Sequence, residues 1–412
     1  MNLQRALLAL PPLKSGYGAT DLAPALEQTI DYYEIGDCVG AFQMDNASNN
    51  DTCLAELATK YQIDVHEQRL RCFGHVVNLI VKALLFGEGL SQLQRELAEA
   101  SDLEEYKLWR QQGAIGKLHN IVTYITRSSK RTAAFNAIQQ EQADEVLLWC
   151  LQLKRNTGIR WNSTFTMIQR ALQLQRPIEL YCARHRATAQ SSDHDIAADT
   201  LDAQDWEELR HFSFILKLFF SATKRLEGHA TAGTHGAVWE VLPAYNYLFN
   251  KLSQAQQEVI DETFKFTDYY TRCIDMAFQK LSHYYILTDH SRIYRVATAL
   301  HPGKRFQWFE DQWAEEKRGS REVRNAKEAV ELYWHRFVDQ LPEDEVLSSR
   351  KSPPPTPAPK HRVFDEDSDE EDEDWLKSFG THHVSVDKDP HRRLERQQEL
   401  KTLMAADLPI EP

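Results

Sequence analysis

The residues with the clearest potential for chemistry begin at Asp45. This acid ends a short apolar segment and is followed at once by the polar run NASNN. An acid at the C-terminal end of a strand, before a turn and a helix, is where metal-dependent phosphoryl-transfer enzymes place a ligand. Many α/β proteins have the same arrangement without any chemistry. The pattern marks Asp45 as a candidate metal ligand and leaves both interpretations open.

A Cys-x-x-His pair, Cys72 and His75, opens the next apolar segment and would supply half of a zinc site. Zinc takes about four ligands in a structural site, or three and a water in a catalytic one, and they normally come in two clusters. The sequence has no second cluster with suitable spacing. We therefore favour a packed cysteine and a hydrogen-bonded histidine at the start of a buried helix over a zinc site.

The segment KRNTGIRWNSTFTMIQR, residues 154–170, has four basic residues, no acid and an Arg-Trp pair. Such a mixture can hold phosphates while the ring of Trp161 takes an unstacked base. The alternative is a basic, solvated loop with Trp161 packed into the core. Residues 117–131, KLHNIVTYITRSSKR, are similarly basic and are expected to line the same face.

The elements that must position these residues change in character along the chain. Residues 20–33 predict a helix, 38–44 and 69–73 predict strands, and 74–86 predict a buried helix because they are apolar nearly all round. After residue 89 the periodicity is helical. One apolar stripe runs from Leu209 to Leu226, and a second runs from Val330 through Trp334 to Leu341. The sequence predicts a mainly α protein with a small α/β part.

Charge is unevenly distributed over the 412 residues. The net charge is −13, but DEDSDEEDED at 365–374 holds nine acids, and without them 52 acidic residues face 48 basic ones. A near-neutral body with a separate acidic segment neither requires nor excludes a nucleic-acid partner. The Pro-rich and acidic residues 347–374 cannot bury enough apolar surface to fold, so we expect a disordered linker there.

The six cysteines are scattered, with no C-x-x-C pair, which favours free thiols in a reducing compartment. No signal peptide begins the chain, and no run of about 18 uncharged apolar residues is long enough to span a bilayer. These features predict a soluble, intracellular protein without a membrane partner. No Gly-rich phosphate loop, G-x-S-x-G elbow or H-E-x-x-H motif supports nucleotide hydrolysis, esterase or zincin activity.

Five segments resemble successive landmarks of the hAT-superfamily DNA transposases, the fungal members in particular. They are MDNASNNDT, RLRCFGHVVNLIVKALL, IGKLHNIVTYITRSSKR, IRWNSTFTMIQRAL and ALHPGKRFQWFEDQW, in matching order and spacing over residues 18–341. The resemblance implies a ribonuclease-H-like α/β core interrupted by a large all-helical insertion. The expected domains are an irregular segment at 1–17, a partial ribonuclease-H-like core at 18–89, an all-helical insertion at 90–346, the linker at 347–374 and a tail with a short helix at 375–412.

The resemblance also implies roles for individual residues. The family cuts and joins DNA with a D-D-E triad and two divalent ions, Mg²⁺ or Mn²⁺. By this resemblance Asp45 is the second acid of the triad and a metal ligand, and Cys72 with His75 is a structural signature. Arg160 and Trp161 match an Arg-Trp signature whose Trp stacks on a flipped base near the transposon end. Lys154 and Arg155 are expected to bind DNA beside them.

The first and third acids of the triad have no counterpart. Asp45 has 44 residues before it, without a matching strand pair, and no Glu-Arg then Phe-Ser pattern follows Asp374. The resemblance therefore implies a transposase truncated at both ends, without transposition activity of its own. One carboxylate would hold two metal ions weakly at best, so we expect no tightly bound Mg²⁺ or Mn²⁺. Self-association stays open because the family's dimerisation region is not matched.

We therefore expect a nuclear protein that retains DNA binding. The alternative is a domesticated, non-catalytic nuclear interaction protein that binds other proteins through its helical domain and acidic tail. A decaying gene copy with a misdrawn reading frame is a third possibility.

Overall fold

The computed structural model is mainly helical. It describes residues 7–11, 18–87, 89–142, 150–156, 161–185, 195–227, 237–261, 264–312 and 318–338. Within these ranges the strands are β1 (Phe42–Met44) and β2 (Arg69–Arg71). The helices are α1 (Ala19–Tyr32), α2 (Ser48–Tyr61), α3 (Phe73–Phe86), α4 (Leu90–Glu99), α5 (Asp102–Arg110), α6 (Gly113–Thr126), α7 (Ser129–Gln142), α8 (Trp161–Gln173), α9 (Gln175–Arg184), α10 (Ala203–Glu227), α11 (Val241–Ile260), α12 (Asp268–Leu287), α13 (Ile293–Leu300), α14 (Arg305–Gln312) and α15 (Arg318–Val338).

The chain divides into two compact units. Unit 1 takes the described residues of Met1–Cys72, Gly236–Tyr247 and Tyr285–Pro412. Unit 2 takes those of Phe73–His235 and Leu248–Tyr284. This division groups residues that are far apart in sequence, whereas the domains expected from the sequence are consecutive. The expected domain boundaries stay a prediction.

In unit 1 a β1–α2–β2 arrangement carries the turn that contains Asp45. The two strands pair in parallel, with Phe42 opposite Arg69 and Met44 opposite Arg71. Phe42 and Met44 pack against a cluster of buried residues supplied mainly by α1 and α2, including Leu54 and Leu57. The helices α1 and α2 thus pack on the apolar side chains of β1 and hold the strand that ends just before Asp45.

The other core of unit 1 gathers apolar residues from β2 and from helices near the end of the described chain. Its buried members are Leu70, Leu242, Tyr294, Ala299, Trp308, Phe309, Val323 and Ala326. Beside it, Glu67 is 8% exposed and its Oε1 accepts hydrogen bonds from the Arg292 amide at 2.9 Å and the Tyr333 hydroxyl at 3.0 Å. A buried carboxylate with these donors ties residues distant in sequence to the segment before β2.

Unit 2 is built from helices around α3, which is apolar on most of its surface. Val76, Val77, Ile80, Val81, Leu84 and Leu85 are all fully buried. The stripe of α10 from Leu209 to Phe219 is buried as well, and α10 packs against α3, α6 and α8. Buried ion pairs add to this core: Asp199 accepts a bidentate contact from Arg110 at 2.7 and 3.2 Å, and Asp205 pairs with Lys117 at 2.7 Å.

Several expectations from the sequence are confirmed and others need correction. The mainly helical fold and the buried helix over residues 74–86 are confirmed. The expected strand from residue 38 is wrong in its first half, because Gly36–Cys38 forms a short 3₁₀-helix and β1 begins only at Phe42. Trp334 is also misplaced in the predicted stripe, since it is 59% exposed.

The finer fold remains a prediction. A sheet of two short strands among the described residues does not define a ribonuclease-H-like core. The linker at 347–374, the tail at 375–412 and most of the segment 1–17 lie outside the described residues. Within the described ranges no single helix has the length and apolar composition needed to cross a bilayer; α3 and α4 meet the criterion only together, as a bent pair.

Candidate functional site

Asp45 lies directly after β1, in the turn that leads into α2. Its Oδ1 accepts hydrogen bonds from the Ala47 amide at 2.9 Å and from Asn50 Nδ2 at 2.6 Å. An Asp side chain that bonds the backbone two residues on is typical of a turn before a helix. The side chain is exposed. The strand end that the sequence predicts for Asp45 is therefore present, and one carboxylate oxygen serves the turn.

Two arginines of β2 contact the same turn. Arg69 Nη2 donates to the backbone carbonyl of Asp45 at 2.9 Å, and Arg71 Nη1 donates to Asn46 Oδ1 at 2.8 Å. The Arg69 side chain is almost fully buried and pairs with Asp51 at 2.6 Å. The pKa of Arg69 lies below its usual value, because the effect of burial outweighs the opposite effect of the charges of Asp51 and Asp45. The surroundings of Asp45 thus include two cations.

These surroundings do not fit a two-metal site. Magnesium and manganese prefer several carboxylate, carbonyl or water oxygens, and neighbouring guanidinium groups oppose a bound divalent ion. Within the described residues no three His, Cys, Asp or Glu side chains are grouped in a way that would hold a metal ion. The metal and catalytic roles of Asp45 stay predictions.

Cys72 and His75 are placed on either side of the start of α3. Cys72 is half-buried, and its amide donates to the Met44 carbonyl at 2.8 Å, which extends the pairing of β1 and β2. His75 is a half-buried residue of the first turn of α3. The role of this pair as a structural signature stays a prediction.

A basic cluster lies in unit 2 around the C-terminal end of α6. We define it as Lys130 and Arg131 of α7 with Lys154 and Arg155 of residues 150–156. Arg155 Nε donates to Thr126 Oγ1 at 2.6 Å, and Arg131 Nη1 donates to the Tyr124 carbonyl at 3.3 Å. Lys130, Lys154 and Arg155 are exposed. The hydrogen bond between Arg155 and Thr126 brings the two basic segments into contact, and their role in binding DNA stays a prediction.

The cluster has a fixed backbone. Gln139 is 4% exposed, and its side chain both accepts from the Leu151 amide and donates to the Leu151 carbonyl, each at 3.0 Å. Arg170 of α8 donates to the Gln152 carbonyl at 2.8 Å. Side chains of α7 and α8 thus form hydrogen bonds with backbone groups of residues 150–156, where the backbone of a neighbouring strand would do so in a sheet. The segment that carries Lys154 and Arg155 is held at Leu151 and Gln152, and near its other end by the bond from Arg155 to Thr126.

Trp161 begins α8 and is 7% exposed. Its ring meets Phe220 edge to face, with centroids 6.2 Å apart, and Phe165 contacts the same phenylalanine. In this conformation the indole is part of the core, and stacking on a base would require it to leave this packing. Its DNA-contact role stays a prediction. Arg160 lies outside the described residues.

Lys117 and His119 of α6 have partners within unit 2. Lys117 pairs with Asp205, so it does not belong to the basic cluster. The imidazole of His119 stacks on Trp109, with centroids 3.8 Å apart. Burial, together with the positive charges of Arg127 and Arg155, lowers the pKa of His119 to about 3. The expectation that the whole segment 117–131 lines one face is therefore wrong for its first half.

The sequence gave no individual role to Gln139 or Thr126, whose side chains support the basic cluster. Both are uncharged residues inside helices, and no local pattern distinguishes them from other polar residues. Their contacts with Leu151 and Arg155 form because residues 150–156 pack against α6 and α7 in the folded chain. The sequence pattern of a single helix cannot predict this packing.

A family model described as the ZBED1 RNase-like helical domain matches residues 70–212. This range includes most of β2, helices α3–α9, the first part of α10 and the whole basic cluster. The match shows that the chain is similar to a transposase-like, hAT-related type of domain over about a third of its length.

A curated fungal protein is similar over a longer range. "Putative transcriptional regulator tpeD" of Talaromyces stipitatus is 25% identical over 350 residues, which cover 82% of this chain and 36% of that protein. The chain thus spans about a third of the length of this relative. No solved structure matches.

Proposed function

We propose that this protein is a hAT-transposase-derived DNA-binding protein that contacts duplex phosphates through the basic cluster. The observation that carries the proposal is that Arg131 and Arg155 both bond the last turn of α6, each with an exposed lysine, Lys130 or Lys154, next to it in the chain. Phosphate contacts from Lys and Arg supply most of the affinity of non-specific DNA binding. The similarity to a transposase-like domain covers the same residues.

We further propose that the chain does not cut DNA by itself. Asp45 uses Oδ1 to hold the turn before α2, and Arg69 and Arg71 place positive charge beside it. Asp45 thus occupies the position of a catalytic acid, but its role is to accept the hydrogen bonds that stabilise the turn.

A binding titration and a nicking assay test these two statements separately. Four phosphate contacts predict that log K for duplex DNA falls against log salt concentration with a slope of roughly −3 to −4. A slope near zero would contradict the DNA-binding proposal. Supercoiled DNA with Mg²⁺ or Mn²⁺ should stay intact. Metal-dependent nicking that disappears in Asp45→Asn would overturn the second statement and restore the enzyme.

The second candidate is a non-catalytic nuclear regulator that acts by binding other proteins. The observation that favours it is the similarity to the curated relative, which is named a putative transcriptional regulator. Both candidates place the protein in the nucleus. The first requires salt-dependent DNA binding by the purified chain, whereas the second is favoured if no DNA of any sequence binds.

A further inference from the structure

We propose that the exposed face of α8 contacts base-pair edges in the major groove of duplex DNA, beside the phosphate contacts of the basic cluster. The inference rests on the proposed DNA binding and adds a preference for sequence to it. Phosphate contacts fix the position of a protein on DNA, whereas contacts with base edges distinguish one sequence from another. The buried ring of Trp161 is not part of this face.

The exposed face of α8 is a narrow stripe of uncharged side chains that form hydrogen bonds. The four exposed residues of the helix are Asn162, Thr166, Gln169 and Gln173. Their intervals of four, three and four residues place them within an arc of about 60° on a helix of 3.6 residues per turn. Asn and Gln can bond adenine N6 and N7 together, and Thr can bond a base edge or touch the thymine methyl. The stripe thus has the side chains of a helix that distinguishes base pairs.

Two members of the stripe already bond within α8. Thr166 Oγ1 donates to the Ser163 carbonyl at 3.1 Å, and Gln173 Oε1 accepts from Arg170 Nε at 3.1 Å. We therefore assign the main base contacts to Asn162 and Gln169, which lie one turn before and one turn after Thr166. They are about 10 Å apart along the helix axis, about the rise of three base pairs.

The opposite side of α8 fixes the helix in unit 2. Trp161, Phe165 and Ile168 are buried, and α8 packs against α3, α6 and α10. An α-helix with its side chains is about 10–12 Å wide, close to the width of the major groove. The sequence of α8 contains no acidic residue, so the helix itself adds no negative charge that phosphates would repel.

The segment that carries two cations of the basic cluster runs along one flank of α8. Arg170 donates to the Gln152 carbonyl at 2.8 Å, and Ser163 Oγ donates to Asn156 Oδ1 at 3.0 Å. Residues 152–156 therefore lie beside α8 in the opposite direction, and their two exposed cations fall between these contacts. Cations beside a face of Asn and Gln side chains supply both the phosphate contacts and the base contacts that sequence recognition needs.

The test is a binding selection from a pool of duplexes with a randomised centre of about one helical turn. The full chain is mixed with the pool, and the bound duplexes are sequenced. We expect enrichment of a short motif that contains adenine, because Asn and Gln bond its major-groove edge. Asn162→Ala and Gln169→Ala should each lower the affinity ratio of the enriched to a scrambled duplex by about fivefold or more. The salt slope on the scrambled duplex should not change, since neither variant loses a phosphate contact.

Two controls separate base contact from other effects. Gln94→Ala makes the same change at an exposed position of α4 and should keep the wild-type preference. Replacing the enriched adenines by 7-deazaadenine removes only the N7 acceptor of the major groove and should weaken binding of the wild type. Binding without enrichment, unchanged preference in both α8 variants, or unchanged affinity for the 7-deazaadenine duplex would overturn this inference alone. Failure to bind any duplex of the pool would overturn the proposed function as well.

Discussion

His119 is a neutral base held inside unit 2, between Trp109 and the end of α6. The imidazolium form loses hydration in this site, and the nearby Arg127 and Arg155 repel it, so the pKa falls to about 3. An unfolded chain would bind the same proton near pH 6.5. The unfolded state therefore binds more protons below that pH, and stability must fall as the solution is acidified.

At the residue scale this predicts a measurable dependence of stability on pH. Between pH 7.5 and 5 the wild type should lose about 2 kcal/mol of unfolding free energy relative to His119→Phe, which keeps a ring beside Trp109 and cannot titrate. Urea unfolding at several pH values measures the difference. Parallel pH profiles for the two proteins would show that His119 is not held neutral in the folded state.

The surroundings of Asp45 show which features of a site can be predicted from residue types alone. The strand, the acid and the following helix were predictable, because an apolar segment, a polar turn and an amphipathic period follow one another in sequence. The neighbouring charges were not, since Arg69 and Arg71 arrive on β2 after the whole of α2. A local pattern identifies a position that could bind a metal and says nothing about the charges opposite it.

At the scale of elements, the helices differ in how well their periodicity predicted burial. The stripe of α10 was confirmed from Leu209 to Thr223, because neighbouring helices cover it there, whereas Leu226 is half-buried. In α15 the residues that pack into the core are Val323, Ala326 and Val330, whereas Trp334 is exposed. The period of a helix gives its apolar face, but where the neighbouring elements end decides how much of that face is buried.

The contact between α5 and α6 depends on one glycine. A Cβ at Gly116 would lie 1.6 Å from the Trp109 carbonyl oxygen, and this backbone atom cannot move aside as a flexible side chain would. Sequence reasoning gave Gly116 no role, because a glycine inside a helix usually signals only weak propensity. Here it allows α6 to approach the end of α5, on which the position of His119 depends.

We predict that Gly116→Ala lowers the free energy of unfolding by at least about 3 kcal/mol, since the two helices must separate. Gly74→Ala is the matched control: the same change in α3 meets nothing within 4 Å. The control should be unchanged, or more stable by up to about 0.5 kcal/mol through its helix propensity. Thermal unfolding followed by circular dichroism compares them, and equal stabilities would refute the close approach of α5 and α6.

At the scale of the whole molecule, the net charge of −13 does not describe residues 154–170, which hold four basic residues. The sequence predicted this asymmetry, because most of the excess of acids lies in one segment and residues 154–170 contain none. It could not show that Lys117 turns inward while Lys130 and Arg131 join Lys154 and Arg155. Which basic residues belong to the cluster depends on the orientation of α6 and on the packing of residues 150–156 against its C-terminal end.

Charge reversal within the cluster tests the central claim that this surface binds DNA. We compare the affinity for one duplex, over a range of salt, of the wild type, Lys154→Glu/Arg155→Glu and Arg272→Glu/Lys280→Glu. The second pair makes the same change in net charge at exposed positions of α12, outside the cluster. The account predicts at least about a tenfold loss of affinity and a salt slope shallower by about 2 for the cluster variant, with a much smaller change for the control. Equal losses in both variants, or none in either, would contradict it.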